Sequence, residues 1–320
     1  MTALAGNWLP HVLQALWQNT AVALFVLLLL SVLRGAGPQL RHALVMLAFL
    51  KFALPPMLPL PTGLFSAAPP APAIEPVRNL VGLAMQPPGV GVVVALMLVH
   101  LLGIIVCLSR LASEAWTLRG IRRRAVRMGD ALVSREIPVA MATGVFRPAI
   151  LLPESLVRAL DQDELADVLA HEREHIQRRD VLYNWLQEIV LAVWWFHPLA
   201  RRLGREGRAL REECCDDALL ARGACEGAHY ARTLLHAASF AARPPLSAAA
   251  IAESEPALLH RIRRIADARF TPSSRLSPLA VALLVALALL LLPGLRVSAA
   301  NRFAFDHETR AALSPHSHGH

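Results

Sequence analysis

Four long apolar runs dominate the chain, and they cover residues 12–33, 43–60, 90–111 and 276–293. A helix of about 20 apolar residues is long enough to cross a bilayer, so each run is predicted to form a transmembrane helix. Arg34 follows the first run and no basic segment precedes it, which favours a retained helix over a cleaved signal peptide. The pattern therefore predicts a mainly α membrane protein.

The polar stretches predict the orientation in the membrane. Arg34 and Arg41 lie between the first two runs, and a series of arginines begins at the end of the third run and continues beyond it. Basic loops stay in the cytoplasm, so we predict a cytoplasmic domain over residues 112–275. The Pro- and Ala-rich loop 61–88, the tail 294–320 and both chain termini then lie on the extracytoplasmic side.

Composition agrees with a membrane protein. Hydrophobic residues make up 55% of the 320 residues and mean hydropathy is +0.44, which is too apolar for an ordinary soluble domain. The net charge of +8 would suit a nucleic-acid partner. However, the arginines cluster beside apolar runs, so we expect contact with the lipid bilayer and no direct nucleic-acid binding. The four cysteines form no CxxC pair, which indicates reduced thiols.

Within the polar domain, residues 163–180 show the periodicity of an amphipathic helix. Its apolar stripe consists of Leu165, Val168, Leu169 and Ile176. His171, Glu172 and His175 fall within or beside this stripe. Arg173, Glu174 and Gln177 point the opposite way and are predicted to be solvated.

The inward-facing residues form an H-E-x-x-H motif, HEREH. Histidines four apart lie one turn apart on one face of a helix, so His171 and His175 can bind one metal ion. Glu172 can then act as the base for a water in the open metal position. A surface helix that carries these residues by chance is the alternative, and their inward placement disfavours it. The motif predicts one catalytic Zn²⁺.

A catalytic zinc site needs a third protein ligand, and the segment R-E-E-C-C-D-D at residues 211–217 offers two carboxylate pairs. Glu212 and Asp216 are four apart, as are Glu213 and Asp217, whose face looks wetter. We therefore predict Glu212 as the ligand, with Glu213 as the alternative. Asp216 is predicted to accept a hydrogen bond from a ligand histidine N–H.

Other histidines remain open candidates. His197 precedes a proline at a helix end and can be a ligand, a transition-state donor or a structural residue, and we place the structural role first. His229 and His236 are seven apart on a later helix and can help to polarise a scissile carbonyl, although no motif singles out either.

The segment before the motif predicts strands and a helix cap. Residues 139–153 read as short strands joined by a glycine turn, followed by a short helix that opens at Pro153. We expect this strand region to lie alongside the HEREH helix and to pair with an extended substrate. Asp161 or Asp163 is predicted to cap the HEREH helix.

The chain resembles the BlaR/MecR-type integral-membrane zinc metallopeptidases, because it contains HEREH, an apolar segment ending in WFHP, and REECCDDAL in that order. The segment GVFRPAILLP fits the strand region of that family. The resemblance covers most of residues 1–296. It implies a bacterial inner-membrane protein with a gluzincin-like α+β domain in the cytoplasm. It also implies that His171, His175 and Glu212 hold zinc and that Glu172 is the base. The best-known members sense β-lactams and trigger inactivation of a DNA-binding transcriptional repressor, which implies a protein substrate of that kind.

The chain departs from those sensors in two respects. Residues 294–320 are too few for a penicillin-binding sensor domain, so we expect none. Lys51 is the only lysine, so no S-x-x-K acylation motif exists and we expect no covalent β-lactam binding. The histidines at the end of the tail are expected to be incidental.

Three functions remain open at this level. The chain can be a protease that cleaves a cytoplasmic repressor or itself, a signalling scaffold with structural zinc, or a housekeeping peptidase of membrane proteins. Glu172 favours an enzyme, because a closed structural site would need four ligands and no base.

Overall fold

The computed structural model describes residues 2–54, 89–240, 255–267 and 271–292. These ranges contain long helices and one small sheet, as predicted for a mainly α chain. The helices are α1 (Thr2–Val32), α2 (Pro38–Ala53), α3 (Val90–Arg124), α4 (Glu154–Ala159), α5 (Gln162–Gln177), α6 (Asp180–Val193), α7 (Pro198–Ala221), α8 (Gly227–Phe240), α9 (Glu255–Ala266) and α10 (Pro278–Leu291). The strands are β1 (Val126–Met128), β2 (Ala131–Ser134), β3 (Met141–Thr143) and β4 (Ala149–Pro153).

Two helices of the described ranges are long and apolar enough to cross a bilayer, and their apolar segments are His11–Val32 and Gly91–Arg124. The helix α2 has 16 residues, and α10 is a shorter apolar helix of 14 residues. Residues 55–60 of the predicted second span, the loop 61–88 and the tail 294–320 lie outside the described residues. The four-span arrangement therefore stays a prediction.

The apolar helices pack directly on the polar domain. Buried side chains of α1, α2 and α10 form one core with Trp194 and with Leu203 and Leu210 of α7. Close packing of α2 on α7 depends on Gly207, because a Cβ at that position would lie 3.1 Å from Cγ1 of Val45. This core fixes α7 relative to the apolar helices.

The sheet has the strand order β1-β2-β4-β3. Strand β4 pairs in parallel with β2 and antiparallel with β3, and Gly144 at φ +88° begins the predicted glycine turn between β3 and β4. The core between the sheet and the helices contains Ile150 and Leu152 of β4, which are buried against α4 and α5. The predicted strands and the short helix after Pro153 are thus present, and β1 and β2 extend the sheet beyond the prediction.

The helix α5 carries HEREH and begins with a reciprocal cap. Of the two predicted candidates, Asp161 is the cap: its Oδ1 accepts from the N–H of Glu164 at 2.8 Å, while the Glu164 side chain accepts from the N–H of Asp161. At the other end, Arg179 adopts a left-handed conformation with φ 58°. This turn ends α5 and lets α6 start at Asp180, only five residues after His175.

Candidate metal centre

The two histidines of HEREH have little exposure, and their rings meet edge to face. His171 is 7% exposed, and its ring lies 4.9 Å from that of His175, centroid to centroid, at an interplanar angle of 88°. Both side chains project from one face of α5, as the four-residue spacing predicts.

Glu212 of α7 completes a group of three metal-binding side chains. Its Oε2 lies 3.3 Å from Nε2 of His171, and its Oε1 lies 3.6 Å from Nε2 of His175. One donor atom from each residue falls within 4.8 Å of the others. Tetrahedral zinc with bonds of about 2.0–2.1 Å separates its ligand atoms by roughly 3.3 Å. The three residues therefore fit a zinc ion without rearrangement of the helices.

Glu213, the alternative ligand, points away from the histidines. Its carboxylate lies 3.7 Å from Arg41 of α2 and 3.6 Å from His260 of α9. The expectation that Glu213 and Asp217 lie on the wetter face is wrong, because they are 5% and 1% exposed. That face of α7 is covered by α2 and α9, which supply Arg41 and Arg264 as partners, and by the segment before α10, whose Ser273 N–H donates to Asp217.

The second nitrogen of His175 is held by Asp180. Nδ1 of His175 donates to Oδ2 of Asp180 at 2.9 Å, and Sγ of Cys215 lies 3.3 Å from the same oxygen. Burial alone would raise the pKa of Asp180, but the hydrogen bond from His175 and the charge of Arg178 hold that pKa below its usual value. Asp180 thus stays ionised and leaves Nε2 of His175 free to bind a metal.

His171 is held through a tyrosine. Nδ1 of His171 donates to the hydroxyl of Tyr230 at 2.8 Å, and that hydroxyl donates to Oδ1 of Asp216 at 2.8 Å. Asp216 lies 3.5 Å from Nδ1 of His171. The structure therefore places the predicted acceptor beside this histidine, with the Tyr230 hydroxyl as the link between them.

Glu172 is 6% exposed, and its Oε2 has no hydrogen-bond partner among the described residues. A buried carboxylate oxygen without a partner is costly unless a water or a ligand group occupies the space beside it.

Glu174, which was predicted to be solvated, is buried. It is 3% exposed and forms an ion pair with Arg222, which follows α7. Helix α5 is thus covered on more than its apolar stripe.

The remaining candidate histidines lie outside the metal-binding group. His197 is the N-cap of α7, where its Nδ1 accepts from the N–H of Ala200 at 3.2 Å and its Nε2 donates to Oγ1 of Thr20 at 3.1 Å. His229 lies 3.4 Å from Asp167, and His236 lies 2.8 Å from Glu164. These contacts connect α1 to α7 and α8 to α5.

The sheet lies beside the metal-binding helix. Strands β3 and β4 both pack against α5, and β3 is the last strand on its side of the sheet. One edge of β3 therefore has no strand partner among the described residues, next to the helix that carries the two histidines.

Comparison with known proteins identifies the family. The family model described as "BlaR1 peptidase M56" matches residues 10–265, which is most of the chain. The chain belongs to the M56 peptidase family. This confirms the predicted BlaR/MecR-type family and its metallopeptidase class.

Individual relatives of this M56 chain match over short segments. The chain is 39% identical over 77 residues to the regulatory protein BlaR1 of Bacillus licheniformis. The matched segment is 24% of this chain and 13% of BlaR1. It is 28% identical over 65 residues, 20% of this chain, to the methicillin resistance mecR1 protein of Staphylococcus aureus, and spans 11% of that protein. It is also 40% identical over 62 residues to a protease HtpX homolog of Thermococcus sibiricus, covering 19% of this chain and 21% of that homolog.

Three residues of the centre were given no role from the sequence. Asp180 lies within the motif-bearing stretch, and its position five residues after His175 was the one available signal. Tyr230 is one of two tyrosines in the chain, and Arg261, which donates to both carboxylate oxygens of Asp216, is one of many arginines. Neither stands at a spacing that links it to HEREH, so only the packing of α8 and α9 on α5 and α7 reveals them.

Proposed function

We propose that this chain is an integral-membrane zinc metalloendopeptidase that hydrolyses peptide bonds at the cytoplasmic face of the bacterial inner membrane. The observation that carries the proposal is the convergence of His171, His175 and Glu212 within 4.8 Å. Glu172, the residue after His171, is buried and has a carboxylate oxygen without a partner among the described residues. Three ligands leave a fourth tetrahedral position for water, as in catalytic rather than structural zinc sites.

A zinc ion held by these three residues would polarise the scissile carbonyl and lower the pKa of a water in the fourth position. Glu172 would act as the general base, accepting a proton from water at a carboxylate oxygen and passing it to the leaving amine. Asp180 and Tyr230 accept hydrogen bonds from Nδ1–H of His175 and His171, which leaves the Nε2 atom of each histidine, near Glu212, available as a zinc ligand. Each named side chain thus has one task in the reaction.

Strand β3 is proposed to bind the substrate. An extended peptide that pairs with the outer edge of β3 would lie alongside the helix that carries HEREH. Backbone pairing recognises extended conformation more than side-chain identity, so this mode suits a protease that cleaves an exposed segment of a folded protein.

The membrane arrangement is proposed to follow the four predicted spans. Helix α3 has 35 residues and is about 52 Å long at 1.5 Å per residue, against a hydrocarbon thickness of about 30 Å. Its last turns carry Arg122, Arg123 and Arg124, which supports a cytoplasmic end. The first strand of the polar domain, β1, follows it directly.

The biological role is proposed to be regulatory proteolysis, by inactivation of a DNA-binding repressor or by autocleavage. The names of two relatives, a regulatory protein and a methicillin resistance protein, support this role. The similarity to a protease HtpX homolog favours the second candidate, a housekeeping peptidase of membrane proteins.

The decisive experiment compares cells that carry the parent chain with cells that carry Glu172→Gln, by mass spectrometry of newly formed protein termini. We expect fragments of a cytoplasmic repressor, or of the chain itself, in the parent cells alone. Fragments of membrane proteins in their place would favour the housekeeping role. Equal fragment levels in both bacterial strains would overturn the assignment of Glu172 and the proposed activity.

A further inference from the structure

A second concave site lies apart from the metal centre. It is a cavity of about 330 Å³ between the start of α2, the end of α5, the middle of α7 and the segment that precedes α10. Its lining includes Gln39, His42, Arg178, Ser274 and Arg275. None of these residues belongs to the group that converges on the proposed zinc position.

The charge of this lining is positive. Arg178 and Arg275 contribute guanidinium groups, and no carboxylate side chain lines the cavity. Nε of Arg178 donates to Asp180 at 3.3 Å, which leaves the other end of its guanidinium for a further acceptor. Arg275 is exposed and forms no ion pair with the described residues. Ser274 adds a neutral hydroxyl donor, whereas the amide nitrogen of Gln39 already donates to the carbonyl of Ser273 and to Asp217.

Helix α2 adds the positive end of its dipole. Its N-cap is Gly37, which has no side chain that could cap the helix. Gln39 lies in the first turn of this 16-residue helix. The first N–H groups of such a helix lack internal partners and favour an anion.

His42 supplies the independent observation that points to a ligand. It is 8% exposed and lines the cavity, and its Nε2 has no hydrogen-bond partner among the described residues. A buried imidazole nitrogen without a partner is costly, and an acceptor oxygen inside the cavity removes that cost. An anion with several oxygens can engage His42 and both guanidinium groups together.

The cavity also lies at a specific level of the fold. Helix α2 begins at Pro38 and α10 begins at Pro278, immediately beside the residues that line it. It therefore sits where two apolar helices meet the polar domain, which is the level of lipid headgroups in the proposed membrane arrangement. We propose that this cavity binds a phosphate group, carried either by an anionic phospholipid or by a free phosphate ion.

The test uses the purified, delipidated full chain in detergent and isothermal titration calorimetry with three probes: short-chain phosphatidylglycerol, short-chain phosphatidylcholine and inorganic phosphate. The variant is Arg275→Gln, because Arg178 also contacts Asp180 in the metal centre. The matched control is Arg34→Gln, an exposed arginine at the same end of the apolar helices and outside the cavity. His42→Phe removes the unpartnered nitrogen and serves as a second variant.

We expect saturable binding of phosphatidylglycerol or of phosphate by the parent chain. Arg275→Gln should weaken it roughly tenfold, as expected for loss of a charge-assisted hydrogen bond. Arg34→Gln should change it less than twofold, and the unfolding temperatures should show that all variants fold. Binding of phosphatidylglycerol without phosphate identifies a lipid headgroup, and binding of phosphate alone identifies the free ion. Two results would overturn the proposal. One is equal binding of both lipids without any binding of phosphate. The other is binding by both Arg275→Gln and His42→Phe that equals binding by the parent chain.

Discussion

Arg261 donates two hydrogen bonds of 2.7 Å to the two carboxylate oxygens of Asp216, and both residues are buried. A third contact, at 3.3 Å, joins Arg261 to Oε2 of Glu212. Burial would raise the pKa of Asp216, but the charge of Arg261 holds it below its usual value. One arginine of α9 therefore fixes the carboxylate that holds Tyr230 and also touches the proposed third zinc ligand.

Replacement of Arg261 by methionine should lower the free energy of unfolding by about 3–5 kcal/mol, because Asp216 is left as a buried charge without its cation. Chemical unfolding in detergent measures this cost. The double variant Arg261→Met/Asp216→Asn removes both charges and should recover part of the stability. A cost below about 1 kcal/mol for the single variant would show that the pair does not carry this role.

Glu212 and Glu213 form a matched pair for the third ligand. Glu212→Ala should reduce bound zinc below stoichiometric levels, because two histidines alone bind the ion weakly. Glu213→Ala should retain zinc, since its carboxylate contacts Arg41 and His260. Metal analysis of the purified variants gives the answer, and loss of zinc in Glu213→Ala alone would reverse the assignment.

The residues behind the histidines should control metal affinity. Asp180→Asn and Tyr230→Phe should each weaken zinc binding about 10- to 100-fold, because they release Nδ1 of a ligand histidine. Competition with a chelator measures the affinity. Tyr183→Phe is the control, since Tyr183 is the other tyrosine and is 45% exposed. Zinc affinity that is the same in all three variants would contradict the proposed geometry.

His197 should matter for stability and not for turnover. His197→Ala removes the cap of α7 and the contact with Thr20, and should cost about 0.5–2 kcal/mol of unfolding free energy with zinc retained. His197→Asn keeps a capping oxygen and should lose less. If His197→Ala abolished peptide cleavage while stability and zinc content stayed at parent values, the role of His197 would be in the transition state instead.

Local periodicity predicts part of the candidate site. The spacing of His171 and His175 and the cap before α5 follow from positions three or four apart on one helix. The choice of Glu212 over Glu213 rested on a wetter face for Glu213, and the structure buries that face. Lys51 shows the limit of local rules: it is 1% exposed, and its Nζ reaches the carbonyl of Leu292 at 3.2 Å, 241 residues away in sequence.

Burial on the second face of a helix was not predictable from periodicity. Glu174, Glu213 and Asp217 look like solvated residues because each has polar neighbours in sequence. The structure buries them because arginines from separate segments pair with them, and those partners carry no sequence signal of their own. An amphipathic pattern identifies one buried face and says nothing of a second face that is covered by ion pairs.

The contact between Arg261 and Glu212 also has a consequence for synthesis, since the two residues are 49 positions apart. At roughly 5–20 residues per second, a ribosome adds Arg261 about 2 to 10 seconds after Glu212. During this interval, the nascent chain already contains HEREH and the proposed third ligand but lacks the arginine that orders Asp216. The complete centre therefore forms only after Arg261 has been translated and has reached Asp216 and Glu212.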